Sequence, residues 1–204
     1  KEKPLFINYS SENTNKWEKT RQKQFDDFIY KFKNIKPMNS VIRKNIQTYD
    51  STVEDYHQNT KTLEKQEIEI RKAFLSKLKK SAAILDIACG PGRDAKFFSE
   101  KGYILVGVDL SKNMIKKAQV IAPKAQFKVM DFTALKLKKT SFDAVWFNAG
   151  LLCVPKRYAP KILNNIHNLL KKDGILFISV KEGSGEGFQD DTRYGFPKYY
   201  AYYK

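Results

Sequence analysis

Cysteine is scarce in this chain: two residues, Cys89 and Cys153, among 204. Two thiols in apolar, strand-end contexts cannot make a disulfide framework, and they fit reduced side chains in a cytoplasm. Long apolar runs are missing as well. No stretch approaches the ~20 residues that a membrane span needs. No secretory signal is visible, and the opening Lys1 in place of Met leaves room for residues upstream. Acidic residues are in short supply: 22 Asp and Glu stand against 38 Lys and Arg, a net charge of +16. The excess lies in both halves, so it is not a basic tail. Such a charge favours anionic partners, and nucleic acid is one of them. A solvated lysine surface is the plainer reading. No arginine-rich arm, zinc knuckle, RNA-recognition signature, metal-ligand set or internal repeat is present.

What is present is enough chain for one domain with a buried core. Residues 1–45 read as an N-terminal helical extension and residues 46–204 as the main domain. Residues 1–16 are polar and expected to be loose. Trp17, Phe25, Phe28, Ile29, Phe32 and Ile35 then give the spacing of an amphipathic helix, closed by Pro37. A second helical stripe runs over 60–80 through Leu63, Ile68, Ile70, Phe74, Leu75 and Leu78. The period then changes. Short apolar runs at 82–87, 103–108, 126–130, 142–147 and 175–180 read as strands. They alternate with helices over 94–101, 111–122 and 157–171, the last closed by Asp173-Gly174. Strands alternating with helices predict an α/β fold, a doubly wound and mostly parallel sheet.

The chemistry concentrates at the strand ends, where ligands bind in such sheets. Asp86-Ile-Ala-Cys-Gly-Pro-Gly-Arg-Asp94 is a strand, a glycine turn and a helix start. Ala88, Cys89, Gly90, Gly92 and Arg93 lie in it. Glycines let backbone approach a ligand, and the helix amides favour an anionic group. The spacing also satisfies a dinucleotide fingerprint. Asp86 argues against a pyrophosphate, which it would repel, and for a cationic amino group. Asp109 ends the second strand about 20 residues beyond the loop, where a carboxylate accepts ribose hydroxyls. A helix N-cap is the alternative, but Ser111 is placed to serve as that cap. Asp131-Phe132 ends the third strand and suits an adenine amine and ring, with Leu110 and Met114 as the opposite wall. An ordinary turn for Asp131 and core packing for Met114 are the competing readings. Asn148-Ala149-Gly-Leu151 through Pro155 borders the same rim. So does the glycine-rich loop after Val180, from which Lys181 emerges.

Together these landmarks resemble the class I S-adenosylmethionine-dependent methyltransferases over residues 49–187. Asp-x-Ala-Cys-Gly-x-Gly at 86–92 is the most specific part, and Leu151-Leu-Cys-Val-Pro155 looks like a bacterial subgroup. In that subgroup a His commonly stands at the position of Cys153. Tyr49-Asp50 and Tyr56 resemble the segment that such enzymes fold over the methionine end of the cofactor. The resemblance implies a Rossmann-like fold, S-adenosyl-L-methionine as cofactor with S-adenosyl-L-homocysteine as product, and methyl transfer to an acceptor, a small molecule first and tRNA second. A nicotinamide-binding protein or a cofactor-binding regulator is the third alternative. Such folds usually add a further helix and an antiparallel hairpin. The chain ends 24 residues after Val180, so either those elements follow or a sheet edge is left to be covered. Lys181, Tyr49, His57 and Arg193 are the candidate catalytic groups. The absence of Asn-Pro-Pro-Tyr argues against adenine or glutamine N-methylation.

Overall fold

The computed structural model describes residues 2–8, 39–191 and 196–204. The helix expected over 17–36 and the candidate Arg193 lie outside them. Helices α1 (Asn39–Ser51), α2 (Val53–Thr60) and α3 (Lys65–Leu75) lead into strand β2 (Ala83–Ile87). Then follow α4 (Arg93–Glu100), β3 (Ile104–Asp109), α5 (Lys112–Ile121), β4 (Gln126–Val129) and β5 (Phe142–Phe147). Helix α6 (Ala159–Leu169), β6 (Leu170–Glu182), β7 (Glu186–Asp191) and β8 (Phe196–Tyr203) complete the order. The sheet order is β4-β3-β2-β5-β6-β8-β7, and the first five of these run parallel.

The pleat divides the strands between two cores, because successive side chains point to opposite faces. Leu85, Ile87, Val145, Phe147, Leu176 and Ile178 meet Ile162 and Ile166 of α6 on one face. Ile84, Ala144, Trp146, Ile175 and Phe177 meet Phe74 of α3 and Phe98 of α4 on the other. Trp146 stacks on Phe177 at 3.7 Å between ring centres. Burial on both faces explains why these strands read as largely apolar runs, broken in β2 by Asp86 and in β5 by Asp143.

Three expectations are corrected. Asp173-Gly174 does not close a helix. Helix α6 stops at Leu169, because Leu170 already pairs with Phe142; the register then shifts, with Ile175 opposite Ala144 and Asp173 left-handed at φ 61°. Residues 1–16 are not loose throughout, since Glu2–Asn8 form strand β1. The outer edge of β6 is therefore not bare: β1 pairs antiparallel with it, from Glu2 opposite Lys181 to Asn8 opposite Ile175. An uncovered edge leaves a row of unmet N–H and C=O groups, and β1 meets them with its own backbone. Among the described residues no helix is long and apolar enough to cross a membrane.

Candidate active site

Strand β2 runs into a tight turn in which Ala88, Gly90 and Gly92 all have positive φ, at 57°, 52° and 88°. Gly92 has a second reason to be glycine. A Cβ there would stand 2.9 Å from the Ala118 Cα of α5, so only hydrogen lets the two segments touch. Gly92 also opens α4, so the first amides of that helix face the turn. The turn is pinned to β3: Cys89 N–H donates to the Val108 carbonyl at 3.1 Å, and Gly90 N–H donates to Asp109 Oδ2 at 3.0 Å. Tyr56 of α2 lies over Gly90, 3.8 Å from where a Cβ would be.

Two acids sit beneath the turn in opposite electrostatic states. Asp86 is 2% exposed, and its Oδ2 has no hydrogen-bond partner. Burial, then the charge of Asp94, push its carboxyl well above the usual range, and Arg71 only partly opposes them. Asp94 is the reverse case. Burial acts to raise it, but the charges of Arg71 and Arg93 outweigh that and hold it low. Arg71 Nε donates to Asp94 Oδ1 at 3.0 Å and a second Arg71 nitrogen donates to the same oxygen. Trp146 Nε1 and Asn148 Nδ2 donate to Oδ2 at 2.7 and 3.1 Å. The chain of bonds continues outward. Ser179 Oγ donates to Asn148 Oδ1 at 2.6 Å and accepts from Ala149 N–H at 2.8 Å. Thus one buried carboxylate fixes the ends of β5 and β6 relative to α3 and α4. Asn148 serves in that framework. Arg93 does too, reaching the Thr60 carbonyl at 3.0 Å and Glu67 at 3.1 Å.

Asp109 takes Gly90 N–H on one oxygen and Ser111 N–H on the other at 2.9 Å. Burial raises its carboxyl, and the amides of Ser111, Gly90 and Leu110 oppose that. Ser111 caps α5, accepting from Met114 N–H at 3.0 Å, and donates its own hydroxyl to Asp50 of α1. Asp131 accepts Thr133 N–H at 2.8 Å in a turn. Phe132 is buried edge-on to Phe147 at 5.7 Å, and Met114 is buried as well. Leu110 packs against the core beside them.

Leu151–Cys153 form a short 3-10 turn on the same rim, with Leu151 buried. Around Cys153 the structure gathers groups from distant parts of the sequence. Tyr49 of α1 lies 3.6 Å from Cys153 Sγ, and its ring meets Tyr56 edge-on at 5.7 Å. Burial raises the Tyr49 phenol well above its ordinary value, with Cys153 next, so it stays protonated at neutral pH. Burial likewise pushes the Cys153 thiol up to about 11. Neither group is a base there. Lys181 reaches this rim, 3.9 Å from the centre of the Tyr200 ring. His57 does not. Its charged neighbours are Lys117 of α5, Glu54 of α2 and Lys61 just beyond it, and burial first, then Lys117, lower its pKa.

Sequence reasoning missed Lys198, Arg71 and Asn45. Lys198 on β8 is 2% exposed and lies over both Tyr49 and Tyr56, at 4.8 and 5.4 Å from the ring centres. Its signal was present: a lone lysine inside the aromatic run 196–203. Asn45 joins the rim together, donating to the Cys153 carbonyl at 3.1 Å and accepting from Tyr199 N–H at 2.9 Å.

A glycine turn bound to an acidic strand end, in a doubly wound sheet of this order, is the arrangement of a Rossmann-like fold. Residues 84–174 match the family model described as a methyltransferase domain. It is similar to the trans-aconitate 2-methyltransferase of Enterobacter sp. (strain 638), 28% identical over 59% of this chain and 52% of that one. It is also similar to the malonyl-[acyl-carrier protein] O-methyltransferase of Pseudescherichia vulneris, 27% identical over 68% of this chain and 51% of that one. The chain thus spans about half the length of these curated relatives. Its fold matches that of the Burkholderia thailandensis 1,6-didemethyltoxoflavin-N1-methyltransferase, solved with bound 1,6-didemethyltoxoflavin and S-adenosylhomocysteine, at 22% identity and TM-score 0.62 over 82% of this chain and 75% of that one.

Proposed function

We propose that the protein transfers a methyl group from S-adenosyl-L-methionine to a small-molecule acceptor. The observation that carries this reading is the buried, unpartnered Oδ2 of Asp86 beside the glycine turn. A carboxyl so placed lacks a donor, and the ammonium of the cofactor's methionine end supplies one. Asp109 would accept the ribose hydroxyls on its remaining lone pairs, and Asp131, with Leu110 and Met114, would border the adenine. Ala88, Cys89, Gly90 and Gly92 offer backbone to the cofactor, and Tyr49 and Tyr56 cover its methionine end. Asn148, Ala149, Leu151 and Arg93 shape the floor and walls. A phosphate-bearing dinucleotide fits less well, because Asp86 would meet its charge.

When bound, the cofactor supplies an electrophilic methyl group on a sulfonium. This chain's own residues contribute position and a dry site. Helix α1 and strand β8 cover the rim from outside. With Tyr49 and Cys153 held protonated, Lys181 stays a candidate, among the described residues, for handling an acceptor proton. The names of the two relatives, a trans-aconitate 2-methyltransferase and a malonyl-[acyl-carrier protein] O-methyltransferase, support an acid as the methylated group, and the first of them supports a small acceptor. The free thiols of Cys89 and Cys153 support a cytoplasmic setting. The test is methyl transfer from radiolabelled S-adenosylmethionine to a panel of small acids, amines and phenols, with bulk tRNA alongside. Label in a small molecule is expected; label in tRNA alone would contradict the reading.

A further inference from the structure

Among the described residues, five that are not glycine have left-handed backbone. Ser81, Thr140 and Asp173 are exposed, at the end of the sheet where β2, β5 and β6 begin. Ala88 and Ala149 differ. They follow the neighbouring strands β2 and β5 at the carboxyl end, with φ at 57° and 54°. Alanine has no polar side chain to favour that backbone, so each turn is strained and needs support from outside. Ala88 has it in the bonds of Cys89 and Gly90 to β3. For Ala149 the support is Ser179 of β6, which is 3% exposed. The Ser179 hydroxyl accepts Ala149 N–H at 2.8 Å and donates to Asn148 Oδ1 at 2.6 Å. That direction is set from further away. Asn148 gives its amide nitrogen to Asp94 at 3.1 Å, so its oxygen is turned to Ser179 and a Ser179 lone pair is left for Ala149.

The strained turn has two consequences for the rim. It lays Gly150 on the glycine turn: a Cβ on Gly150 would stand 2.8 Å from the Ala88 Cβ and 2.2 Å from the Phe147 ring. It also aims two carbonyls at Cys153. The Ala149 carbonyl accepts from Cys153 Sγ at 3.7 Å, and the Gly150 carbonyl accepts from Cys153 N–H at 3.0 Å. Cys153 Sγ in turn lies 3.6 Å from the Tyr49 hydroxyl. We propose that Ser179 is a positioning residue for the cofactor site: it holds Ala149 left-handed, and that turn seats Gly150 against Ala88 and Cys153 against Tyr49. This rests on the methyltransferase reading for the identity of the ligand. Ser179 acts through Ala149 and not by touching the ligand. Without the Ser179 oxygen the Ala149 amide loses its acceptor, and the alanine relaxes towards negative φ. Gly150 and Cys153 then leave their seats, and only the fraction of chains with the turn in place binds at full strength.

The experiment is a double-mutant cycle on the full chain, read by calorimetry with S-adenosylhomocysteine. Ser179→Ala is expected to weaken binding by about tenfold. In the Ala149→Gly background the same change should weaken it by less than about twofold, because glycine takes positive φ without strain and the turn no longer needs the hydroxyl. A bond that served stability alone would give the same loss in both backgrounds. The second readout is the rate at which an aromatic disulfide reagent labels Cys153, located by peptide mass spectrometry. That rate should rise about tenfold in Ser179→Ala, and the rise should vanish in the Ala149→Gly background. Should Ser179→Ala fail to fold by circular dichroism, Ser179→Cys, a weaker acceptor of similar size, takes its place in the cycle. Equal losses in both backgrounds, or no loss in either, would overturn the inference. Failure of S-adenosylhomocysteine to bind the unaltered chain is a different result. It removes the methyltransferase reading, and the labelling cycle then judges the turn by itself.

Discussion

Gly90 donates its backbone N–H to Oδ2 of Asp109 at 3.0 Å, so the glycine turn after β2 and the tip of β3 form one rigid edge. Asp109 therefore has two tasks on the proposed reading: it holds the turn and meets the ribose. Asp109→Ala is expected to weaken S-adenosylhomocysteine binding by about 2–4 kcal/mol, since bonds to a charged acceptor contribute about 1.5–3 each. Calorimetry checks this, and an unchanged affinity would remove the ribose assignment.

Gly92 and Gly102 share a left-handed backbone, at φ 88° and 85°, but not a setting. A Cβ at Gly92 meets Ala118 at 2.9 Å, whereas one at Gly102 meets nothing within 4 Å. Gly102→Ala should cost only the conformational strain, about 1–2 kcal/mol. Gly92→Ala should add about 1–3 kcal/mol of overpacking and part α4 from α5. Melting temperatures should therefore fall further for Gly92→Ala, at about 2–4 °C per kcal/mol. Equal shifts would show that the close approach is not tight.

Asp94→Asn should be the most damaging conservative change. It leaves Arg71, itself 2% exposed, without its counter-charge, a loss on the order of 3–5 kcal/mol. The pH dependence has a definite sign. Arg71 and Arg93 hold the Asp94 carboxyl below its ordinary value against the opposing effect of burial. Its contribution is thus complete above the unfolded pKa of about 3.9 and is lost as pH falls through the lower folded value. The difference in melting temperature between wild type and variant should hold steady from pH 7 to about pH 4 and narrow only below that. A gap that closes near neutrality would contradict the pairing.

Asp86 carries the opposite sign. Burial, then Asp94, raise its carboxyl. Its contribution to stability is complete below the unfolded value of about 3.9 and is lost as pH rises through the raised folded value. An incoming ammonium favours the ionised form, so ligand binding should expel a proton where Asp86 is protonated. Calorimetry of S-adenosylhomocysteine in phosphate and in Tris should give different heats, and affinity should rise with pH through that window. Asp86→Asn should abolish both effects. Identical heats in the two buffers would argue against Asp86 as the ammonium partner.

The strand–helix alternation and the glycine turn were legible in the sequence because both are local. Ile84 to Ile87 carry their two-sided burial in four consecutive letters, and Gly90 and Gly92 announce a backbone that needs positive φ. The fixing network was not legible. Arg71 and Asp94 are joined only by folding, and nothing in the helical stripe around Phe74 marks Arg71 as buried. Asp173-Gly174 misled because a left-handed residue before glycine ends helices and makes strand irregularities alike. Lys198 stood out only as a lone lysine in an aromatic run; its neighbours Tyr49 and Tyr56 come from helices far away in the chain. The pairing of Glu2–Asn8 with β6 is likewise a contact across nearly the whole sequence.

On the proposed reading the turn at 86–94 holds the methionine and adenosine ends of S-adenosylmethionine rather than a dinucleotide pyrophosphate. Isothermal calorimetry with S-adenosylhomocysteine and with NAD tests it most directly. Saturable, one-site binding of S-adenosylhomocysteine that Asp109→Ala weakens is expected, with no heat from NAD. Saturable binding of NAD with none of S-adenosylhomocysteine would contradict it.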